Sequence, residues 1–253
     1  MKGVLLLAAL ALPAGVHAAP ADAAAENRVV AFSADVRVDV DAVGKPLKVE
    51  APQDLPPAIR ALIEKRVASW QYQPANIGGV PQAATTYVSV HACAVPVPEG
   101  YRLGVDFVGN GPRVAAGQVM APPEYPSAAM RSGYEAAFSL ILKMDADGHA
   151  VIDRIDRLSI SRHARAGDFE LVLRRWAKAL RFDPEMVAGK AVTTDIRIPV
   201  DFISPSASRL RALRGQLQAK AQASRECRIA SGDYDMRPIA LQPAVTVIPR
   251  PPG

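Results

Sequence analysis

The side chains able to do chemistry in this chain are few and scattered. Three histidines lie beyond the apolar N-terminus, His91, His149 and His163, each in a separate segment. No H-E-x-x-H, G-x-S-x-G or glycine-rich phosphate loop occurs, so metal-assisted, serine-type and phosphoryl chemistry lack their usual sequence frame. His163 follows Ser159 and Ser161 closely, but proximity along a polar stretch is common and does not make a triad. The acidic residues form no isolated pair of the kind glycoside hydrolysis needs. Asp145 and Asp147 suggest calcium at first sight, yet the other oxygen ligands of a twelve-residue loop are missing, and a turn is the better reading. Cys93 and Cys227 are the two cysteines. In an oxidising compartment they permit one bridge, while two buried free thiols fit the sequence equally well; two soft ligands with no clustered histidine make a poor metal site. The chain is therefore expected to be no enzyme, with no metal, no cofactor and no small-molecule substrate.

The elements that must carry these residues come in a partial repeat. A D-x-x-G turn, a helix and an aromatic-x-Pro exit run from Asp41 to Pro74 and again from Asp145 to Pro184, the mark of two like modules. In the second copy Ala137–Met144 and Ala150–Ile155 read as a hairpin around Asp145-Ala146-Asp147-Gly148, whose glycine can take positive φ. Phe169, Val172, Leu173, Trp176 and Leu180 recur at helical spacing, with Asp168 as the expected cap and Arg174, Arg175 and Lys178 outside. The helix stops before Asp183-Pro184, and Ala191–Phe202 returns as a strand, with Pro199 demanding an edge or carbonyl-only pairing. The first copy repeats this order: strand Ala34–Val40, turn Asp41–Gly44, strand Pro46–Val49, helix Pro57–Trp70, strand Gln82–Ala92. Trp70 and Tyr72 are expected to lock helix end to sheet. The fold class is α+β, two tandem modules, each a small antiparallel sheet packed against helix.

The flanking segments complete the division. Residues 1–18 read as a secretory signal peptide, with Lys2, an apolar run from Val4 to Leu12, and Val16 and Ala18 before the cleavage point. That run is far shorter than the roughly 20 residues a spanning helix needs. Cleavage gives a soluble exported protein in the periplasm; an uncleaved segment gives an inner-membrane protein facing it. The modules cover 28–95 and 119–203. Between them 96–118 is a Pro/Gly-rich linker with a short strand over Tyr101–Val108, and 204–253 is a tail. The tail holds eight basic against three acidic residues, enough for weak contact with an anionic membrane surface; export argues against nucleic acid. Ser206–Arg225 has helical composition, and the Pro-rich end from Pro238 lacks the apolar density of a core.

The second copy resembles the C-terminal domain of the TonB energy-transducer family. The likeness rests on Pro122-Pro123-Glu124-Tyr125-Pro126 with Ala129, Arg131 and Gly133, on the Met144–Gly148 turn, on Leu180-Arg181-Phe182-Asp183-Pro184, on Gly189-Lys190-Ala191-Val192, and on Ile198-Pro199-Val200-Asp201-Phe202. Leu180 stands where the family has Trp, and Ala191 where it has Pro. The first copy resembles it more weakly, through Val40–Gly44, Trp70-Gln71-Tyr72-Gln73-Pro74 and Gly79-Val80-Pro81. Tyr125, Pro126, Gly133, Gly148, Trp176, Phe182 and Pro184 are thus expected to be structural in the second copy, as are Gly44, Trp70, Tyr72 and Pro74 in the first. The resemblance implies a binding module that contacts envelope proteins, notably TonB-dependent outer-membrane transporters, by strand addition. The expected surface is Thr193–Phe202, with Thr193, Asp195, Arg197, Pro199, Val200 and Phe202 named as contacts, and Thr85–His91 of the first copy is a second candidate. An envelope-assembly scaffold without energy transduction is the other reading.

Overall fold

The computed structural model describes residues 30–97, 100–204 and 238–249. The expected signal peptide, the tail helix over 206–225 and Cys227 lie outside them. The fold is mixed α+β, with several sheets, three helices among the described residues, and two hydrophobic clusters.

The first sheet begins with β1 (Val30–Val40) and β2 (Pro46–Glu50), an antiparallel hairpin. Ala34, Val36, Val38 and Val40 point inward at period two and are buried. The opposite face carries cross-strand polar pairs: Ser89 donates to Asp35, and Thr85 to Asp39. Helix α1 (Pro57–Ala68) covers the apolar face with Ile59, Ile63 and Val67, and Pro at its first position costs nothing because that N–H has no helical partner. Next come β3 (Gln71–Gln73), a small hairpin of β4 (Ala75–Ile77) and β5 (Val80–Gln82), and the long β6 (Ala84–Val97), which pairs with β1 along its length.

The segment read as a linker with a short strand differs from that expectation. Gly100–Gly111 forms β7, a twelve-residue strand laddered to β6 from Tyr87 to Val97. Prolines and glycines suggested a loop, but Val105 is buried and Phe107 meets Trp70 edge-on at 5.8 Å between ring centres, so burial overrides local propensity.

The second half starts after β8 (Arg113–Val114) with the five-residue α2 (Ser127–Arg131). Strands β9 (Ala136–Met144) and β10 (Ala150–Ile160) form the hairpin, and α3 (Ala166–Ala179) packs on it through Phe169, Leu173 and Ala177. Asp168 is not the cap: Arg165 holds that position, and Asp168 sits in the first turn, where its charge suits the helix dipole. Then follow β11 (Phe182–Asp183), the tight hairpin β12 (Met186–Val187) and β13 (Lys190–Ala191), and the closing β14 (Thr194–Phe202). The described C-terminal stretch adds β15 (Ile239–Ala240) and β16 (Thr246–Ile248). The expectation that this end lacks core residues is corrected: Val245 and Val247 are buried in the first cluster.

The two D-x-x-G turns have one geometry. Asp41 Oδ1 accepts the backbone N–H groups of Val43 and Lys45; Asp145 Oδ1 accepts those of Asp147 and His149. Gly44 and Gly148 have φ of +85° and +78°. A Cβ on Gly44 would collide with the Tyr72 carbonyl, and one on Gly148 with the Phe182 carbonyl. The turn glycine and the aromatic-x-Pro exit recur together because one backbone rests on the other.

Candidate functional site

The chemistry-bearing residues do not converge. His91 is on β6 and hydrogen-bonds Ser33 at 2.8 Å, His149 follows the second turn, and His163 precedes α3. Ser161 joins Glu135, accepting its N–H at 2.8 Å and donating its own N–H to its carbonyl, which closes β10 toward β9. Asp145, Asp147 and His149 bring ligand atoms within 4.8 Å of one another, yet all are exposed and Asp145 Oδ1 is committed to the turn. Cys93 is buried and disulfide-bonded.

What the structure does build is a pair of strand edges, one on each closing strand. The edge of β6, expected as a candidate over Thr85–His91, is covered: β7 takes it from Tyr87 onward, and β12 takes Ala84 and Thr85. That covering corrects the second candidate, because a ladder already in place leaves no backbone groups for an added strand.

The β14 edge is different. On its inner side β14 pairs with β9 along all nine residues, Thr194 to Phe202. On its outer side the described partner is β15, with Ile196 opposite Ala240 and Arg197 opposite Ile239. Leu241 N–H donates to the Asp195 carbonyl at 2.9 Å. Because successive backbone groups of a strand point to opposite neighbours, the odd positions Asp195, Arg197 and Pro199 face outward and the even positions face β9. Pro199 thus sits at a position whose missing N–H breaks no bond to β9, as its presence in a strand requires.

The expected contacts divide accordingly. Thr193, Asp195 and Arg197 are exposed and Pro199 is half-buried at this edge. The side chains of Val200 and Phe202 belong instead to the second core; Phe202 lies edge-on to Tyr125 at 5.4 Å between ring centres. Around them the expected structural residues hold the sheet. Tyr125 donates to the Tyr134 carbonyl, Pro126 precedes α2, and Gly133 has φ of +63°. Trp176 donates from Nε1 to the Ala121 carbonyl at 2.7 Å, and Phe182 is buried beside Pro184. In the first half Tyr72 donates to the Val67 carbonyl at 2.8 Å, Trp70 is buried in the core, and Pro74 leads into β4. Burial pushes the Tyr72 hydroxyl well above its ordinary pKa.

Sequence reasoning missed the polar junction beside this edge. Glu185, fully buried, accepts the Ala244 N–H at 2.8 Å through Oε2. Asn110 Nδ2 donates to the Val245 carbonyl at 2.7 Å and to Thr86 Oγ1 at 3.2 Å. Four segments distant in sequence therefore meet around one carboxyl, whose pKa burial raises and which the Ala244 N–H and the polar groups of Thr86 and Val245 nearby pull partly back. A Glu directly after Asp-Pro carried no local signal of this.

No helix among the described residues is long and apolar enough to cross a membrane. No family model matches the chain. It is similar to the protein described as Protein TonB in two strains of Xanthomonas campestris pv. campestris, B100 and ATCC 33913, at 30% identity over 83 residues in each case. The matched stretch is 33% of this chain and 35% of each relative, so the chain matches about a third of the length of these relatives.

Proposed function

We propose that this chain is a non-catalytic, TonB-like protein-binding module of the periplasm that contacts TonB-dependent outer-membrane transporters by strand addition at β14. The likeness to Protein TonB supports the general role in protein interaction. The observation that carries the finer reading is the short outer pairing of β14 among the described residues, two residues of β15 against nine residues of β9 on the inner side. An extended segment laid along this edge would gain backbone hydrogen bonds for affinity, and the exposed Thr193, Asp195 and Arg197 would read its side chains. In this reading the chain carries two like modules, 28–95 and 119–203. Cys93 pairs with Cys227, exported and oxidised, tying the tail to the end of β6.

The test is a pull-down from detergent-solubilised outer membranes with residues 19–253 as bait and Arg197→Pro as control. Arg197 N–H faces outward, so its loss weakens an added strand and spares the β9 ladder; Val200→Pro would break that ladder instead. Recovery of TonB-dependent transporters by the parent and its loss in Arg197→Pro is the expected result. Recovery of unrelated envelope proteins by both forms would sink the reading and favour a scaffold. That second reading draws on the β6 edge, which β7 closes from Tyr87 to Val97: one half already uses its closing strand for internal cohesion.

A further inference from the structure

We propose that the β14 edge is shaped for a short antiparallel segment with a small residue at its centre, and that the chain's own Ile239-Ala240-Leu241 occupies it until a partner segment exchanges with it. This inference rests on the strand-addition reading and names the kind of partner that fits.

Three observations carry it. The first is the pairing itself: Ala240 and Ile239 lie opposite Ile196 and Arg197, and the Leu241 N–H reaches the Asp195 carbonyl. The second is a size limit set by the neighbouring strand. Gly111, at the end of β7, packs against Ala240 so closely that a Cβ on the glycine would collide with the alanine methyl. Backbone and methyl fill the slot together, so a segment lying here needs Ala or Gly at that place. Pro243 lacks the donor that would lengthen the ladder past Leu241, and Pro199 of β14 lacks the one that would lengthen it past Ile239.

The third observation is that the C-terminal stretch is held unequally. From Ala244 onward it is anchored: Ala244 bonds Glu185, the Val245 carbonyl accepts from Asn110, and β16 pairs with β3 through Thr246, Val247 and Ile248. Val245 is wholly buried. Ile239 and Ala240 are half-buried and Leu241 is exposed. Residues 239–241 form a finger that can therefore lift from β14 while the anchor keeps it nearby. Tethered at short range, it competes at an effective concentration on the order of millimolar, so a free segment binds appreciably only when the finger is weakened or the segment brings further contacts.

The probe is a fluorescein-labelled peptide of sequence Pro-Ile-Ala-Leu-Gln-Pro, titrated by anisotropy into the purified full chain and into an Ala240→Leu variant, whose enlarged side chain cannot seat against Gly111. Expected are at least tenfold tighter binding to Ala240→Leu than to the parent, and no binding of a control peptide with leucine at its third position. Equal affinity for parent and variant, equal binding of both peptides, or no binding at all would overturn the inference. Near-ultraviolet circular dichroism checks that the variant is folded. Leu241→Pro, which removes the N–H donated to Asp195 at an exposed position, is a second variant expected to unmask the edge in the same way. The two readings separate in the pull-down. Peptide binding as expected without transporter capture keeps the edge and rejects the transporter. Transporter capture unchanged by Ala240→Leu and by excess peptide rejects the edge and leaves the transporter reading on another surface.

Discussion

The closing strands of the two halves pair with equivalent strands on one side, β6 with β1 and β14 with β9, and meet opposite fates on the other. β6 is followed two residues later by β7, which ladders to it from Tyr87 to Val97; β14 is met across two pairs by β15, which arrives from far along the chain. A strand next in sequence closes an edge at little loop-closure cost, whereas one reached through a long connection starts with a larger entropic debt and makes fewer bonds. The first edge is a structural seam, and the second is where the proposed exchange would take place. The covering strands also cross: β7 runs on into β8, which pairs with β11 of the second half, while β15 leads to β16, which pairs with β3 of the first. Each half is thus completed by chain that also holds the other.

The turn glycines are where a single substitution should damage either half most. Gly44→Ala and Gly148→Ala each force an alanine into positive φ and drive its methyl into a carbonyl, of Tyr72 or Phe182. The expected loss is about 3 kcal/mol in either half, from backbone strain plus overpacking. The two tryptophans report separately, Trp70 from the first cluster and Trp176 beside the second. Urea unfolding followed in Trp70→Phe and Trp176→Phe backgrounds should show both signals shifting together whichever glycine is changed, because the covering strands cross. A shift confined to the damaged half would show that the crossed strands do not couple the clusters.

Much of this architecture was legible because it is local. The hairpins around Asp41–Gly44 and Asp145–Gly148, both long helices and both closing strands follow from period, turn residues and proline placement. What was not legible is what one segment does to another far away. The run from Gly100 to Gly111 has the composition of a loop and becomes a strand because β6 offers an edge. The sequence Ala244-Val245-Thr246-Val247 is too short to announce a core, yet its two valines enter one built some 200 positions earlier. For the candidate edge, Pro199 pointed to an edge position, but neither the alternation that turns Val200 and Phe202 into the core nor the partial occupation by Ile239-Ala240 was read from the sequence. Val200 and Phe202 resemble motif residues for a second reason: they hold the core that keeps the edge straight.

Of intermediate size is the effect of loosening the C-terminal anchor. Asn110→Ala leaves the buried Val245 carbonyl without its 2.7 Å donor and should cost about 2 kcal/mol in urea unfolding, as for an unsatisfied buried group. Because that bond lies on the anchor of the finger, Asn110→Ala should also speed amide exchange at Arg197 by more than the global loss speeds it at amides of β1. Protection unchanged at Arg197 would detach the anchor from the edge. Smaller again is Asp183→Asn. Arg113 Nε meets Asp183 Oδ2 at 2.9 Å while its guanidinium lies 4.6 Å over the Tyr87 ring, joining the halves. Both charged side chains are near a third exposed, so solvent screening holds the expected loss to about 0.5 kcal/mol, fading in high salt. A loss several times larger would mean that the halves depend on this ion pair more than on the crossed strands.

The subtlest prediction is a slope with pH at the junction of the halves. Burial raises the Glu185 pKa above its ordinary value of 4.5, so folding favours the protonated carboxyl. Such a group contributes stability that is fully present below the unfolded pKa and is lost as pH rises through the folded one. The parent should therefore lose stability as pH climbs above the ordinary carboxylate range. Glu185→Gln keeps an amide oxygen to accept the Ala244 N–H and carries no titrating proton, so its melting temperature should stay flatter over the same interval. The two proteins should lie closest at pH 4 and diverge toward pH 8, with the variant the more stable there. Since Ala244 leads into Val245 and β16, the same rise in pH should loosen the anchor and ease exchange at β14, read as tighter binding of the Pro-Ile-Ala-Leu-Gln-Pro peptide to the parent and an unchanged affinity in Glu185→Gln. Parallel stability curves for parent and variant would remove Glu185 from the coupling and leave the hold on the finger to Asn110 and the buried valines.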